Sequence, residues 1–414
     1  MTLRELRHSV WLRSDRVGTL VQRGDYTRFV FSQRYLNDPD RPVLGLVFEQ
    51  DLSARHAAAL RLPCWFSNLL PEGRLREWIA ADRKVSPQRE MELLAQVGHD
   101  LPGAVQVLPA PDGEGDEIEW SPKPPPMPVT QGAREQETWR FSLAGVALKF
   151  SMLAKGDRLT LPAFGVGGDW IVKLPDATYP DVPRNEFTMM SLAASAGIDV
   201  PPVRLVHRDE LDGLPPEVWT SREEWAYAIR RFDRDVNRDS VHIEDSAQVR
   251  NVYPEDKYLG NYETVAALAY RGHDLGSLRE FARRLAFTVL IANGDAHLKN
   301  WSLIYTDPRV PSLAPAYDMV STASYLGERE TLGLKFGGTR RLDKVDVATF
   351  ERLQDRLRAP RAELSACVAE LVERVRLHWP DHRDQLAVNP ELASSIGSRI
   401  AAGTRSLLRQ TGDS

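Results

Sequence analysis

The sequence predicts an α+β protein of two lobes preceded by a mixed strand and helix subdomain, and three features carry that prediction. Short strand-like segments dominate from about residue 138 to 258, and the apolar pattern turns helical from about residue 260. A proline-rich and acidic stretch separates this body from an N-terminal part that has both periods. A sheet-rich unit followed by a helical one makes two packed layers, and ligands favour the cleft between such units.

In chain order, SVWLRSDRVGTLVQ alternates apolar and polar residues around Asp15–Gly18, which predicts a hairpin. Residues 53–97 change period: Ala57, Leu60, Trp65, Leu69, Leu70, Trp78, Ile79, Leu93 and Leu94 suit helices punctuated by Pro63, Pro71 and Pro87. Together these give an N-terminal subdomain over 1–108. Residues 109–137 carry DGEGDEIE and SPKPPPMP, which bury little apolar surface and predict a linker. Strand-like pieces follow at 139–142, 147–153, 169–174 and 225–231. Between them 185–196 has the apolar face of a helix, and Gly197 stands where a left-handed cap belongs. This is a sheet-bearing lobe over 138–258. In 259–414, Leu278, Phe281, Leu285, Val289 and Leu290 form an amphipathic stripe, and further helical periods cover 344–358, 361–378 and 391–409.

Composition narrows the function classes. No apolar run approaches the roughly 20 residues of a membrane span, and the first residues lack the continuous apolar segment of a secretory signal. No membrane association and a cytoplasmic location are therefore expected. The net charge of −5 argues against a surface that grips a phosphate backbone throughout. Cys64 and Cys367 lie far apart without zinc-ligand spacing, so reduced core thiols are expected.

The chemistry concentrates in Ile291-Ala-Asn-Gly-Asp-Ala-His-Leu-Lys-Asn-Trp301, where Asp295, His297, Lys299 and Asn300 crowd the exit of an apolar helix. Phosphoryl transfer accounts for such density, because its transition state is stabilised by positioning and by charges on metal, lysine and nearby donors. Asp295 and Asn300 have the Asp-x-x-x-x-Asn spacing of kinase catalytic loops, in which the Asp orients the attacking hydroxyl and the Asn holds magnesium. Eighteen positions on, Leu313-Ala-Pro-Ala-Tyr-Asp318 brings an apolar approach to a carboxylate, so Asp318 is the second metal-ligand candidate. Taken singly, either segment also fits turn-capping residues and a structural histidine.

Asp295-Ala-His-Leu-Lys-Asn300 followed by Tyr317-Asp318 resembles the HipA toxin kinases. Other segments follow that family's order: Ser142-Leu-Ala-Gly-Val-Ala-Leu-Lys149 is similar to its phosphate loop, and Asp169-Trp-Ile-Val-Lys-Leu-Pro175 to its ATP-lysine strand. Asn185-Glu186, Arg231-Phe-Asp-Arg234, His242-Ile-Glu-Asp245, Lys257-Tyr258, Arg16-Val-Gly-Thr-Leu20, Phe66-Ser-Asn-Leu-Leu-Pro-Glu-Gly73 and Gly98-His-Asp-Leu-Pro-Gly-Ala104 match in turn, so the resemblance covers nearly the full chain. It implies a protein-kinase-like two-lobed fold with an added mixed α/β N-terminal subdomain and a helical C-terminal lobe. The implied activity is transfer of the ATP γ-phosphate to a protein serine or threonine, with ATP and Mg2+ as cofactors.

The resemblance also implies site residues. Asp295 and Lys299 are catalytic, and Asn300 and Asp318 hold metal. Ser142, Leu143, Ala144, Gly145, Val146, Ala147 and Lys149 form the phosphate loop, and Lys173, paired with Glu186, reaches the phosphates. Arg230 and Phe232 belong to the hinge at 228–232, where Arg230 departs from the glutamate commoner in the family, and His297 also contacts the nucleotide. Ser142 is an autophosphorylation site whose added charge would oppose the ATP phosphates. The glycine-rich Gly165-Val-Gly-Gly168 precedes a strand and predicts a hairpin turn. The implied partners are a helix-turn-helix antitoxin of the HipB type, operator DNA mainly through that antitoxin, and a protein substrate for which glutamyl-tRNA synthetase is the family's candidate. Two readings compete: a DNA-bound corepressor with little catalysis, and a kinase of a small metabolite or antibiotic.

Overall fold

The computed structural model describes residues 5–111, 148–162, 167–326 and 331–409, and the structural statements below concern those residues. The N-terminal part is a five-stranded antiparallel sheet, order β4-β3-β2-β1-β5, built from β1 (Glu5–Leu12), β2 (Asp15–Arg23), β3 (Tyr26–Phe31), β4 (His56–Ala59) and β5 (Val105–Pro109). Helices α1 (Gly73–Arg83) and α2 (Glu90–Val97) accompany it. Its core is aromatic, with Phe29, Phe31, Phe48, Trp65 and Phe66 in tilted or edge-on contact. Gly18 admits this packing, since a Cβ there would meet Val30 O at 2.2 Å and the Phe29 ring at 2.8 Å.

Two expectations need correction here. The first hairpin turns at Arg13 and Ser14, with Arg13 at φ 55°, so Asp15 already begins β2 and the turn lies ahead of the expected Asp15–Gly18. Ala57 and Leu60 do not lie on a helix: Ala57 pairs with Arg28 in β4, and Leu60, left-handed at φ 67°, is exposed. The alanine run has helical propensity, but the open edge of β3 supplies hydrogen bonds that outweigh it.

The second sheet has the order β10-β7-β6-β8-β11-β9, from β6 (Lys149–Lys155), β7 (Arg158–Thr160), β8 (Trp170–Lys173), β9 (Val203–His207), β10 (Leu211–Asp212) and β11 (Trp225–Arg230). Helix α3 (Val182–Ser195) packs on β9 and β11, with Met189, Met190 and Tyr227 in one core cluster. It starts three residues before the expected 185, and Gly197 takes the left-handed cap at φ 87°. The expected strand at 139–142 and most of the linker fall outside the described residues, as do Gly165 and Val166 of the expected glycine turn.

The C-terminal part is helical: α4 (Tyr262–Tyr270), α5 (Leu275–Leu290), α6 (Val347–Arg356), α7 (Leu364–Arg383) and α8 (Pro390–Leu407). Helix α5 is its axis, packed on α4, α7 and α8. Asp274 caps it by accepting from Ser277 N at 2.9 Å, worth about 1 kcal/mol. A small sheet, β12 (His242–Asp245), β13 (Ser302–Tyr305) and β14 (Ser312–Leu313), lies beside the exit of α5. Among the described residues no helix is long and apolar enough to cross a membrane.

Strand β12 also joins the N-terminal part to the rest. The buried Glu244 carboxyl accepts from Leu46 N at 3.0 Å, from Trp65 Nε1 at 3.2 Å and from the Tyr305 hydroxyl. Burial pushes its pKa up to about 7 from an ordinary 4.5, against those hydrogen bonds. A carboxyl raised in this way contributes its full stability below about 4.5 and loses it as the pH rises through about 7. Glu244→Gln should therefore flatten the pH dependence, removing a loss on the order of 2 kcal/mol between pH 5 and pH 8. Urea unfolding at the two pH values measures it, and equal slopes for variant and wild type would refute it.

Candidate active site

The end of α5 delivers the polar loop. Ala292 turns left-handed at φ 50°, and the chain is then pinned from several sides. Asn293 Nδ2 donates to Asp318 O at 3.2 Å, Asn293 Oδ1 accepts from Asp295 N at 3.0 Å, and Thr322 Oγ1 accepts from Gly294 N at 2.7 Å. Tyr262 donates to Ala296 O at 2.7 Å. Gly333 packs so closely on this loop that a Cβ would meet Ala296 O at 2.6 Å, so any side chain there would displace it. Asp295 is buried and its Oδ1 accepts from the Tyr258 hydroxyl, while the Tyr258 ring stands edge-on to His297 at 5.1 Å.

Lys173 ends β8 opposite Lys149 of β6, a register that sends both lysines to the same face of the sheet. Its Nζ lies 2.5 Å from Glu186 Oε1 on α3 and 2.5 Å from Asp318 Oδ1. Burial opposes all three charges. The two carboxylates outweigh it and raise the Lys173 pKa, and Lys173 with Lys149 holds Asp318 down to about 2. Burial dominates at Glu186 and pushes it up to about 7. Asp318 itself sits left-handed at φ 57°, a conformation that costs a non-glycine residue about 1 kcal/mol or more and persists where neighbours enforce it. The neighbours are Asn293 on its carbonyl and Asn300, whose Nδ2 donates to Asp318 Oδ2 at 2.9 Å. Tyr317 before it donates to Lys299 O at 2.7 Å.

These groups line one end of a cavity of about 340 Å³. Lys149, Lys173, His297, Lys299, Asn300 and Asp318 face it, with Ile171, Ile229, Arg230 and Phe232 along the hinge side. Leu70, Leu101 and Pro102 of the N-terminal part close another wall. Asp295, which is buried, is not among the lining residues. Ser142, Leu143, Ala144, Gly145, Val146 and Ala147 lie outside the described residues. At the hinge, Arg230 N donates to Pro202 O and Arg231 N to Asp169 O, both at 2.9 Å, so these two amides are already engaged.

A nucleotide and magnesium fit this chemistry. His297 is buried with neither ring nitrogen hydrogen-bonded among the described residues, and burial, then Lys257, lowers its pKa well below 6.5. A neutral imidazole with two unspent nitrogens at a cavity wall is suited to a polar ligand. Among the described residues no group of three or more His, Cys, Asp or Glu side chains could hold a metal ion. Asp318 and Asn300 supply one carboxylate and one amide, a sparse set that suits magnesium, which keeps waters and phosphate oxygens. Asn300 now spends its Oδ1 on His297 N at 3.0 Å, so an oxygen ligand there requires the amide to turn.

Two contributions from the N-terminal part had no role in the sequence reading beyond their motif strings. Asn68 and Glu72 reach Lys299 and Lys257. Asp100 accepts from Arg231 and Arg234, both at 2.8 Å, while Asp233 accepts from Arg231 and from Gly103 N, which clamps the 98–104 loop to the chain leaving the hinge.

Known proteins resemble this chain in sequence and in fold. Residues 141–379 match the HipA-like C-terminal domain and residues 8–108 the HipA N-terminal domain. The protein Y4dM of Sinorhizobium fredii, whose name carries the word kinase, is 41% identical over 401 residues, covering 94% of each chain. The serine/threonine-protein kinase toxin HipA of Shewanella oneidensis is 25% identical over 343 residues, covering 74% of each. The fold is similar to a Shewanella oneidensis structure of HipA with HipB and operator DNA, at a TM-score of 0.74 and 19% identity, with 97% of each chain covered.

Proposed function

The chain belongs to the HipA family of kinase toxins, and from that premise we propose that it transfers the γ-phosphate of ATP to a serine or threonine hydroxyl of a protein. One observation carries the reading. Lys173 is shared between Glu186 and Asp318 at the cavity end where Asn300 reaches the other oxygen of Asp318, the ion-pair and metal-ligand set that phosphoryl transfer requires.

In this mechanism Lys173 and Lys149 bind phosphate oxygens, and Glu186 keeps Lys173 aimed. Asp318 and Asn300 would hold magnesium, whose charge offsets that of the phosphates when it is bound. His297 donates or accepts at the nucleotide, and the apolar hinge side with Phe232 and Arg230 takes the base. Asp295 accepts the proton of the attacking hydroxyl, with Tyr258 fixing its carboxylate.

A HipB-type antitoxin, with operator DNA held mainly through it, is the proposed partner; the support is the likeness to a HipA solved with both. Glutamyl-tRNA synthetase is the candidate target, and autophosphorylation at Ser142 the proposed restraint. Purified protein incubated with labelled ATP, magnesium and bacterial lysate should label serine or threonine of one protein, and on long incubation Ser142. Label confined to small molecules would refute the protein-kinase reading, and modification elsewhere but never at Ser142 would refute the restraint.

A further inference from the structure

The family resemblance implies a catalytic role for Lys299, yet its surroundings point to another duty. An ammonium has three protons to donate. Around Lys299 Nζ stand four acceptors: Asn68 O at 2.7 Å, Asn68 Oδ1 at 3.2 Å, Glu72 Oε1 at 3.2 Å and Asp245 Oδ2 at 3.3 Å. Three of the four belong to the N-terminal part, some 230 residues away in sequence. Two carboxylates and two lysines, Glu72, Asp245, Lys257 and Lys299, meet here, so the cluster is neutral as a whole and has little attraction left for phosphate. Lys173, by contrast, has two partners and a proton to spare.

We propose that Lys299 is a positioning residue, a bolt fastening the catalytic loop to the 68–72 segment of the N-terminal part. It acts on its neighbour Asn300 and, through that loop, on Asp295. Glu72 reaches the same carboxylate from the other side, because its Oε2 holds Lys257 Nζ at 2.7 Å and the next residue, Tyr258, donates to Asp295. The N-terminal part is thereby a component of the transfer site. The assignment deepens the kinase reading and rests on it.

A double-mutant cycle in the full chain tests the bolt, using Lys299→Met, Glu72→Gln, the two combined, and Lys299→Arg, which keeps the charge. Each single variant should lower kcat about 10- to 100-fold, the loss expected from a misplaced loop. The Kd for ATP without magnesium, by calorimetry, should stay within about threefold of wild type, because no phosphate contact is lost. The combined variant should lose clearly less than the product of the two single losses, since the Glu72 contact with Lys299 is shared while its hold on Lys257 is separate, and Lys299→Arg should recover part of kcat. Amide exchange over 295–300 should accelerate alike in both single variants. The bolt is overturned if Lys299→Met weakens nucleotide binding about tenfold while Glu72→Gln does not, if the two losses multiply, or if exchange in 295–300 is unchanged. A wild type that binds ATP but transfers nothing would sink the kinase reading, and exchange would then decide the bolt by itself.

Discussion

Asp295→Asn should fold like the wild type and lose phosphoryl transfer by about 10²- to 10⁴-fold, the range that one general base contributes. The substitution is nearly isosteric, and its amide oxygen can still accept from Tyr258, so the Tyr258 and His297 packing has no reason to change. The backbone bond from Asp295 N to Asn293 Oδ1 does not involve the side chain at all. What disappears is the capacity to take a proton and to orient a hydroxyl as a carboxylate does. Asp295→Gln should be as inactive, with more disturbance of the Tyr258 contact. Circular dichroism, melting temperature and nucleotide affinity should stay near wild type in Asp295→Asn. Turnover within a few-fold of wild type in either variant would show that another group is the base.

Asp295 was legible because its relation to Asn300 is local: five residues after a helix exit give the geometry almost directly. Asp318 and Lys173 were legible for a related reason, since each ends an apolar run that must be buried, and a charged group there needs a partner. That they would meet each other is a contact across 145 positions, which no single-sequence pattern encodes. The grip of Asn68 on Lys299 spans 231 positions and the clamp of Asp100 on Arg231 spans 131. Their motif strings stood out while their purpose did not. The misreading of Ala57 as helical has the same origin, because an alanine run carries a local propensity and the edge of β3 is a tertiary fact.

Replacing Lys173 should have the largest effect on stability as well as on function. With Lys173→Met the Glu186 and Asp318 carboxylates lose their shared cation in a buried place, and Asp318 keeps only Lys149 among its neighbouring lysines. Breaking a buried ion pair from one side typically costs about 3–5 kcal/mol, since the partner is left charged and uncompensated. Nucleotide affinity should fall with it, because phosphate oxygens would meet carboxylates where an ammonium stood. Lost folding and lost binding are separable by adding a second change. At alkaline pH, where Glu186 is ionised even without its cation, Glu186→Gln removes one of the two stranded charges, so Lys173→Met with Glu186→Gln should there regain on the order of 1–2 kcal/mol over Lys173→Met. It should regain none of the nucleotide affinity. Urea unfolding measures the first quantity and calorimetry with magnesium ATP the second. If the double variant is less stable than Lys173→Met, the strain does not lie between the carboxylates, and if Lys173→Met binds ATP as the wild type does, the phosphates are held elsewhere.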